Sequence, residues 1–170
     1  MKKYLFMMTA LLVAFTSFAL VACGGDDDND PPKPETNTYK FSIQLTEKEA
    51  GQIDDFLAIY PDLSLTYKLP GKPAVTVPVG KAAISAESET TESGRIELKF
   101  TGTLAESKLD EAKKYSFVPV LKYEIHQEGY TQRSLPEDVL GFSGITGANL
   151  KERHSKFEFP YNVSLHKPNE

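Results

Sequence analysis

Three histidines, His126, His154 and His166, are the residues of this chain best suited to hold a metal ion or a haem iron. None has the HxxxH or HExxH spacing that would place two ligands on one face of a helix. His126 and His166 stand at the ends of predicted strands, where exposure to solvent is the ordinary outcome. We therefore predict no metal site and no cofactor. Haem or metal capture by a histidine pair that the fold brings together stays as a remote alternative.

Acid–base and nucleophilic chemistry have equally little support in the sequence. The carboxylate pairs Asp54-Asp55 and Glu137-Asp138 are adjacent residues. Neighbouring residues on a helix point in different directions, so neither pair presents an acid opposite a base. There is no GxSxG serine motif. We predict that the chain is not an enzyme and that it has no catalytic residues.

One stretch, "HQEGYTQR" at 126–133, has the residue types of a ligand-binding surface. Tyr130 offers a flat ring, and Gln132 and Arg133 offer planar hydrogen-bonding groups beside it, a combination that suits a sugar or a peptide. Tyr60 is the other tyrosine that strand patterning does not assign to the core. We predict Tyr60, Tyr130, Gln132 and Arg133 as candidate ligand-binding residues. The same stretch also fits an ordinary hairpin loop, and the lack of tryptophan weighs against a stacking platform.

The N-terminal residues carry an export pattern. Lys2 and Lys3 precede an uncharged run from Tyr4 to Ala22, and this run is nearly long enough to span a bilayer. A transmembrane anchor is thus the competing interpretation. The run ends in "LVAC", which resembles the lipobox of bacterial lipoproteins. That resemblance implies that residues 1–22 are a signal peptide and that Cys23 is acylated, for example with palmitate.

Lipidation at Cys23 would attach the protein to a membrane without a helix, since each buried methylene contributes about 0.8 kcal/mol. Residues 23–38, with "GGDDDND" and "PPKPETN", have the composition of an acidic, Pro-rich tether. A lipidated cysteine followed by aspartates resembles the surface-export signal of Bacteroidetes lipoproteins. It implies attachment to the outer membrane with the domain facing the cell exterior. The periplasmic leaflet stays open as an alternative.

Charge and cysteine content restrict the partners of the remaining domain, residues 39–170. Without the segment up to residue 38, 16 basic residues stand against 19 acidic ones, a net charge of −3. Such a surface offers no basic stripe for phosphates, so we predict no nucleic-acid partner. The single cysteine excludes an intrachain disulfide, and a hydrophobic core must stabilise the domain.

Six runs alternate between apolar and polar residues, which is typical of half-buried strands. Because Pro78, Pro119 and Pro160 cannot donate to a β-ladder, we expect them at edges or bulges. Together the runs predict an all-β fold, an immunoglobulin-like antiparallel β-sandwich with one or two short helices. The runs are residues 39–46, 63–69, 74–79, 95–101, 115–125 and 156–166.

The intervals between these runs predict the helices. Thr46 and Glu49 have capping-box spacing ahead of a predicted helix at 47–59. A helical turn is expected within 105–114. The connection 126–155 is too long for a plain turn, so we expect a short helix near 136–140 and regard this connection as a place to look for a site.

The unit "LDEAKKYSFVPVLKYEI", in which Tyr115 opens a strand, resembles the tyrosine corner of immunoglobulin-like sandwiches. With "VTVPVGKAA" upstream, residues 39–125 resemble a domain found in Bacteroidetes glycan-utilisation lipoproteins. The resemblance implies an accessory binding module on the cell surface, with a glycan as ligand. The alternative is a structural or adhesin-type envelope component that binds a surface protein by strand-edge pairing.

Overall fold

The computed structural model describes residues 34–134 and 140–166. They form two four-stranded sheets and a two-stranded ribbon, in which every strand pairing is antiparallel. The first sheet has the order β4-β1-β7-β8, the second sheet has the order β10-β5-β2-β3, and β6 pairs with β9. The all-β sandwich is therefore confirmed. The elements are β1 (Asn37–Leu45), α1 (Gln52–Ile59), β2 (Ser64–Lys68), β3 (Val75–Pro78), β4 (Ile84–Thr90), β5 (Arg95–Thr103), a 3₁₀ turn (Glu106–Lys108), β6 (Lys114–Phe117), β7 (Pro119–Gln127), β8 (Tyr130–Arg133), β9 (Phe142–Thr146), α2 (Gly147–Arg153) and β10 (Lys156–Ser164).

Period-two patterning places the core between the two sheets. On β1, Tyr39, Phe41 and Ile43 are buried, whereas the alternate residues face outward. The rings of Phe41 in the first sheet and Tyr67 in the second sheet meet edge-to-face at 5.1 Å. Residues from both inner faces thus join in one hydrophobic cluster, which is what holds the sheets together.

Aromatic rings also connect α1 and the β6–β9 ribbon to this core. Phe117 on β6 is 1% exposed, and its ring centre lies 4.9–6.0 Å from five other rings. Such edge-to-face and tilted pairs add to the hydrophobic stabilisation of the core. These rings belong to Phe56, Phe100, Phe142, Phe157 and Phe159.

The prediction of one strand over 115–125 is wrong, because the chain changes partners at Val118. Residues up to Phe117 pair with β9, and residues from Pro119 pair with β1. Pro119 lacks an N–H and begins β7, a position that a proline tolerates. β7 lies between β1 and β8, as its apolar sequence suggested. Pro78 and Pro160 lie on the edge strands β3 and β10, as predicted.

Helix α1 is shorter than predicted. It begins at Gln52 after Gly51, whose φ of 91° is left-handed. The Glu47 carboxylate accepts from the first-turn N–H of Ile53 at 3.1 Å. The predicted capping residue Thr46 instead donates its hydroxyl to the Val118 carbonyl at 3.1 Å, so its hydrogen bond lies at the end of β1 and not at the helix.

The helical turn expected within 105–114 is a single 3₁₀ turn. The Tyr115 hydroxyl accepts a hydrogen bond from the Asp110 backbone N–H at 3.1 Å, which is the contact expected of a tyrosine corner.

The connection 126–155 is largely ordered into β8, β9 and α2. The helix predicted near 136–140 falls, except for Leu140, outside the described residues. The predicted signal peptide and Cys23 also lie outside them. β1 begins at Asn37, so the last two residues assigned to the tether belong to the sheet.

Candidate functional site

Tyr60, one of the four predicted ligand-binding residues, lies inside the domain. Its side chain is 0% exposed and packs against Phe56 and Phe157 at ring distances of 4.9 and 5.3 Å. Its hydroxyl donates to the His154 carbonyl at 2.8 Å. Burial raises the pKa of Tyr60 to about 12. The prediction that Tyr60 offers its ring to a ligand is therefore wrong.

The other three predicted residues lie on β8, where strand alternation separates them. Tyr130 and Gln132 share one face of the strand, and Arg133 points to the other. β7 and β8 are joined by Glu128 and Gly129, with φ of 52° and 76°. Two positive φ values in a two-residue connection define a type I′ hairpin turn. The stretch thus has the ordinary hairpin structure that was the competing interpretation.

Gln132 and Arg133 are also engaged within the domain. The Gln132 amide donates to the Tyr123 hydroxyl at 2.9 Å and accepts from the His166 backbone N–H at 2.6 Å. Arg133 makes two hydrogen bonds to the Glu124 carboxylate, at 2.9 and 3.3 Å, and these lower the pKa of Glu124. A ligand would have to displace these partners. Tyr130 is 39% exposed, and the Arg133 side chain is 69% exposed despite its ion pair.

The three histidines have unrelated surroundings. The Nδ1 atom of His126 lies 2.8 Å from the Thr131 hydroxyl, and the ring of His154 stacks on Phe142 at 5.8 Å. Among the described residues, no three or more His, Cys, Asp or Glu side chains are grouped to hold a metal ion. In the same part of the chain, no helix has the length and apolar character needed to cross a membrane.

A cleft of about 530 Å³ lies where the loop after β2 meets the turn before β5. We call it the loop cleft. Neither segment was among the residues predicted to bind a ligand. The lining residues are Lys68–Lys72, Glu92–Arg95, Glu97 and Ser164.

Buried polar side chains fix both segments of the loop cleft. Ser88, which is 2% exposed, donates its hydroxyl to the Pro70 carbonyl at 2.7 Å. Asn37, which is 3% exposed, donates its side-chain amide to the Glu92 carbonyl at 3.2 Å. The hydroxyl of Tyr39 accepts from the Gly94 backbone N–H at 3.0 Å. Because buried polar groups are costly unless paired, these bonds hold the loops in one arrangement.

Two glycines allow the loops to pack closely. A Cβ on Gly71, where φ is +70°, would stand 2.6 Å from the Thr90 hydroxyl oxygen. A Cβ on Gly94 would stand 2.8 Å from Cγ of Pro70. A side chain at either position would therefore displace a wall of the loop cleft. The hydrogen bonds and these contacts together make the cleft preorganised.

Charged side chains of both signs line the loop cleft, with three cations, Lys68, Lys72 and Arg95, against two anions, Glu92 and Glu97. The Nε atom of Arg95 lies 3.4 Å from Glu97 Oε1. Lys68 and Lys72 form no ion pair with any residue in 34–134 or 140–166. The cleft thus presents both hydrogen-bond donors and acceptors to solvent.

A second groove, of about 510 Å³, crosses the outer face of the first sheet. Its lysines and glutamates are equal in number: Lys40, Lys122, Glu87 and Glu124. Lys40 pairs with Glu87 at 3.5 Å, and Glu124 pairs with Arg133 at 2.9 Å. Because more of its charge is already paired, this groove is the weaker candidate.

Comparisons of the chain with protein-family models, with curated proteins and with solved structures found no match. We therefore infer the function from the chain's own residues.

Proposed function

We propose that the chain is a non-enzymatic, lipid-anchored cell-surface lipoprotein whose sandwich domain is an accessory binding module for a glycan. The observation that carries the binding role is the loop cleft, whose walls are fixed by Asn37, Tyr39 and Ser88. A buried polar group costs free energy unless it is paired, and here three of them are used to position two surface loops. Such support is typical of a binding site that must keep its shape.

The composition of the cleft supports a hydroxyl-rich ligand. Carboxylates, ammonium groups and serine hydroxyls are the partners that sugar hydroxyls hydrogen-bond. Glu92 is exposed and Glu97 is half-buried, so neither carboxylate is in the desolvated surroundings that tune a general acid. These surroundings support binding without catalysis.

The binding role is tested with the full-length chain, purified in detergent, on an array of neutral and acidic oligosaccharides. We expect saturable binding to a subset of them. We expect Ser88→Ala, which releases the Pro70 carbonyl, to weaken that binding. Ser42→Ala, on the outer face of the first sheet, is the matched control and should bind like the wild type. If no oligosaccharide on the array binds, the glycan-binding role is wrong.

The anchoring role depends on the sequence of the N-terminal segment, and it has a separate test. We expect Cys23→Ser to move the protein from the membrane fraction of the producing bacterium to the soluble fraction, because the acyl attachment point is lost. Gly24→Ala, one residue away, should remain in the membrane fraction. Membrane retention of Cys23→Ser would contradict lipidation. Alanine replacement of Asp26, Asp27 and Asp28 should keep the anchor but remove accessibility to protease on intact cells.

A structural or adhesin-type role is the second candidate, and the β4 strand favours it. β4 has seven residues and no proline, and it lies at an edge of the first sheet among the described strands. Such an edge can pair with a strand of another protein. A photo-crosslinker at Glu89 on intact cells should then capture one stoichiometric protein partner. Crosslinks that stay within the chain would argue against this role.

A further inference from the structure

We propose that the ligand of the loop cleft is an acidic saccharide, a sugar that carries a carboxylate as well as hydroxyls. This inference rests on the proposed glycan-binding function and specifies the ligand class. The lining has three cationic and two anionic side chains, so its net charge is +1. The domain from residue 39 has a net charge of −3. A locally cationic cleft in an acidic domain attracts an anion to that place in particular.

The three cations of the loop cleft come from two parts of its lining, the second sheet and the loop after β2. Lys68 is directly opposite Glu97 in the β2–β5 register, and Arg95 precedes Glu97 by two residues on the same face of β5. Diagonal cross-strand neighbours of this kind are about 7–8 Å apart, so Lys68 and Arg95 are both neighbours of Glu97 on one face of the sheet. Lys72 comes from the loop after β2. A carboxylate that enters the cleft thus meets cations from both the sheet and the loop.

Arg95 and the lysines have different parts in this recognition. A guanidinium matches a carboxylate with two parallel hydrogen bonds, whereas an ammonium acts as a point charge. Arg95 has only a 3.4 Å contact to Glu97 through one nitrogen, Nε, so its other donors can reach a ligand. Lys68 and Lys72, which have no ion pair with a described residue, supply the remaining attraction.

The two carboxylates explain why the ligand must also carry hydroxyls. Glu92 and Glu97 would repel a simple anion. When such an anion bound, the two carboxylates would also lose hydrogen bonds to water without gaining a hydrogen-bond donor from the ligand. Sugar hydroxyls donate to carboxylates, so a sugar acid gives both signs of charge a partner. A neutral sugar would leave Lys68 and Lys72 without a counter-charge. Among these three ligand classes, only the acidic saccharide matches the whole lining.

The test uses isothermal titration of the full-length chain in detergent with oligosaccharides of galacturonate, glucuronate, mannuronate and guluronate. Each is compared with its carboxyl-reduced form, which keeps the ring and loses the charge. We expect at least one of the uronate oligosaccharides to bind about ten- to a hundredfold more tightly than its reduced form, since a hydrogen bond between charged groups is lost. Raising the salt concentration should weaken the binding of the acidic form.

Variants locate the effect. Lys72→Gln and Arg95→Gln should each lose about tenfold or more in affinity for the acidic oligosaccharide and little for its reduced form. Lys99→Gln, on the same face of β5 but outside the cleft, is the matched control and should bind like the wild type. Equal losses in Lys99→Gln would contradict the assignment to the cleft.

The outcomes separate this inference from the proposed function. If reduced forms or other neutral oligosaccharides bind as tightly as the acidic ones, the acidic class is wrong and glycan binding stands. If a triglutamate peptide binds as tightly as the acidic oligosaccharide, the cleft recognises carboxylates alone and the saccharide class is wrong. If neither neutral nor acidic oligosaccharides bind, the proposed function itself fails.

Discussion

Replacing Tyr39 by phenylalanine removes one hydroxyl from the network that fixes the loop cleft. The Tyr39 side chain is 0% exposed, and its hydroxyl accepts from the Gly94 N–H at 3.0 Å. The single hydroxyl proton is donated to Gln127 Oε1 at 3.1 Å or to the Glu92 carbonyl at 3.3 Å. Phenylalanine keeps the ring packing and loses both bonds. At about 1 kcal/mol for each bond, we expect the free energy of unfolding to fall by about 2 kcal/mol.

Urea denaturation measures this loss, and amide hydrogen exchange locates it. In Tyr39→Phe the Gly94 amide should exchange faster, because its acceptor is gone. Tyr67→Phe is the matched control, since the Tyr67 hydroxyl makes no hydrogen bond to a residue that the structure describes and its ring likewise packs in the sandwich. It should change stability by less than about 0.5 kcal/mol. Equal losses in the two variants, or unchanged exchange at Gly94, would show that the Tyr39 hydroxyl does not hold the Gly94 amide.

Two further predictions concern a close contact and a buried hydroxyl. Gly94→Ala places a Cβ 2.8 Å from Pro70 Cγ, so thermal denaturation should show a free energy of unfolding lower by about 1–3 kcal/mol. Gly80→Ala is the control, since its Cβ would have nothing within 4 Å, and its free energy of unfolding should change by less than about 0.5 kcal/mol. Similar losses in the two variants would contradict the close packing of Gly94 on Pro70. Burial raises the pKa of Tyr60 to about 12 from 10.0, so the stability supplied by its neutral hydroxyl is complete below pH 10 and is lost as pH rises through 12. Tyr60→Phe loses the hydrogen bond to the His154 carbonyl, so urea denaturation at pH 8 should show it to be about 1 kcal/mol less stable than the wild type. This difference in stability should shrink between pH 10 and 12, because the wild type loses stability there. A difference that stays constant with pH would contradict the raised pKa.

Alternating apolar residues made most of the sandwich predictable from the sequence. β1, β2, β3, β5 and β10 lie where that pattern placed strands, because their inward residues are large and apolar. β4 was missed because its inward residues, Ile84, Ala86 and Ser88, are mostly small or polar, so its period-two pattern is weak. The break at Val118 was missed because an apolar run on both faces does not show where a strand changes partners.

The loop cleft could not be predicted because its parts are distant in sequence and ordinary in type. "LPGKP" at 69–73 and "TESGR" at 91–95 indicate turns and nothing more. Asn37 was assigned to the tether because a polar residue at the end of a Pro-rich stretch gives no sign of burial. The pairing of β1 with β4 brings Asn37 and Ser88 to the same end of the first sheet. There Asn37 bonds the turn before β5 and Ser88 bonds the loop after β2, and the sequence gives no sign of either contact. Conversely, the neighbours Gln132 and Arg133 formed a cluster in the sequence that strand alternation separates.

The most direct test of the binding role is to map where an acidic oligosaccharide perturbs the backbone amides of the full-length chain by NMR. We expect chemical-shift changes concentrated in Lys68–Lys72 and Glu92–Arg95, with saturation at one equivalent. Shifts concentrated in Tyr130–Arg133 instead, or saturable binding that leaves the loop cleft unperturbed, would contradict binding at the loop cleft.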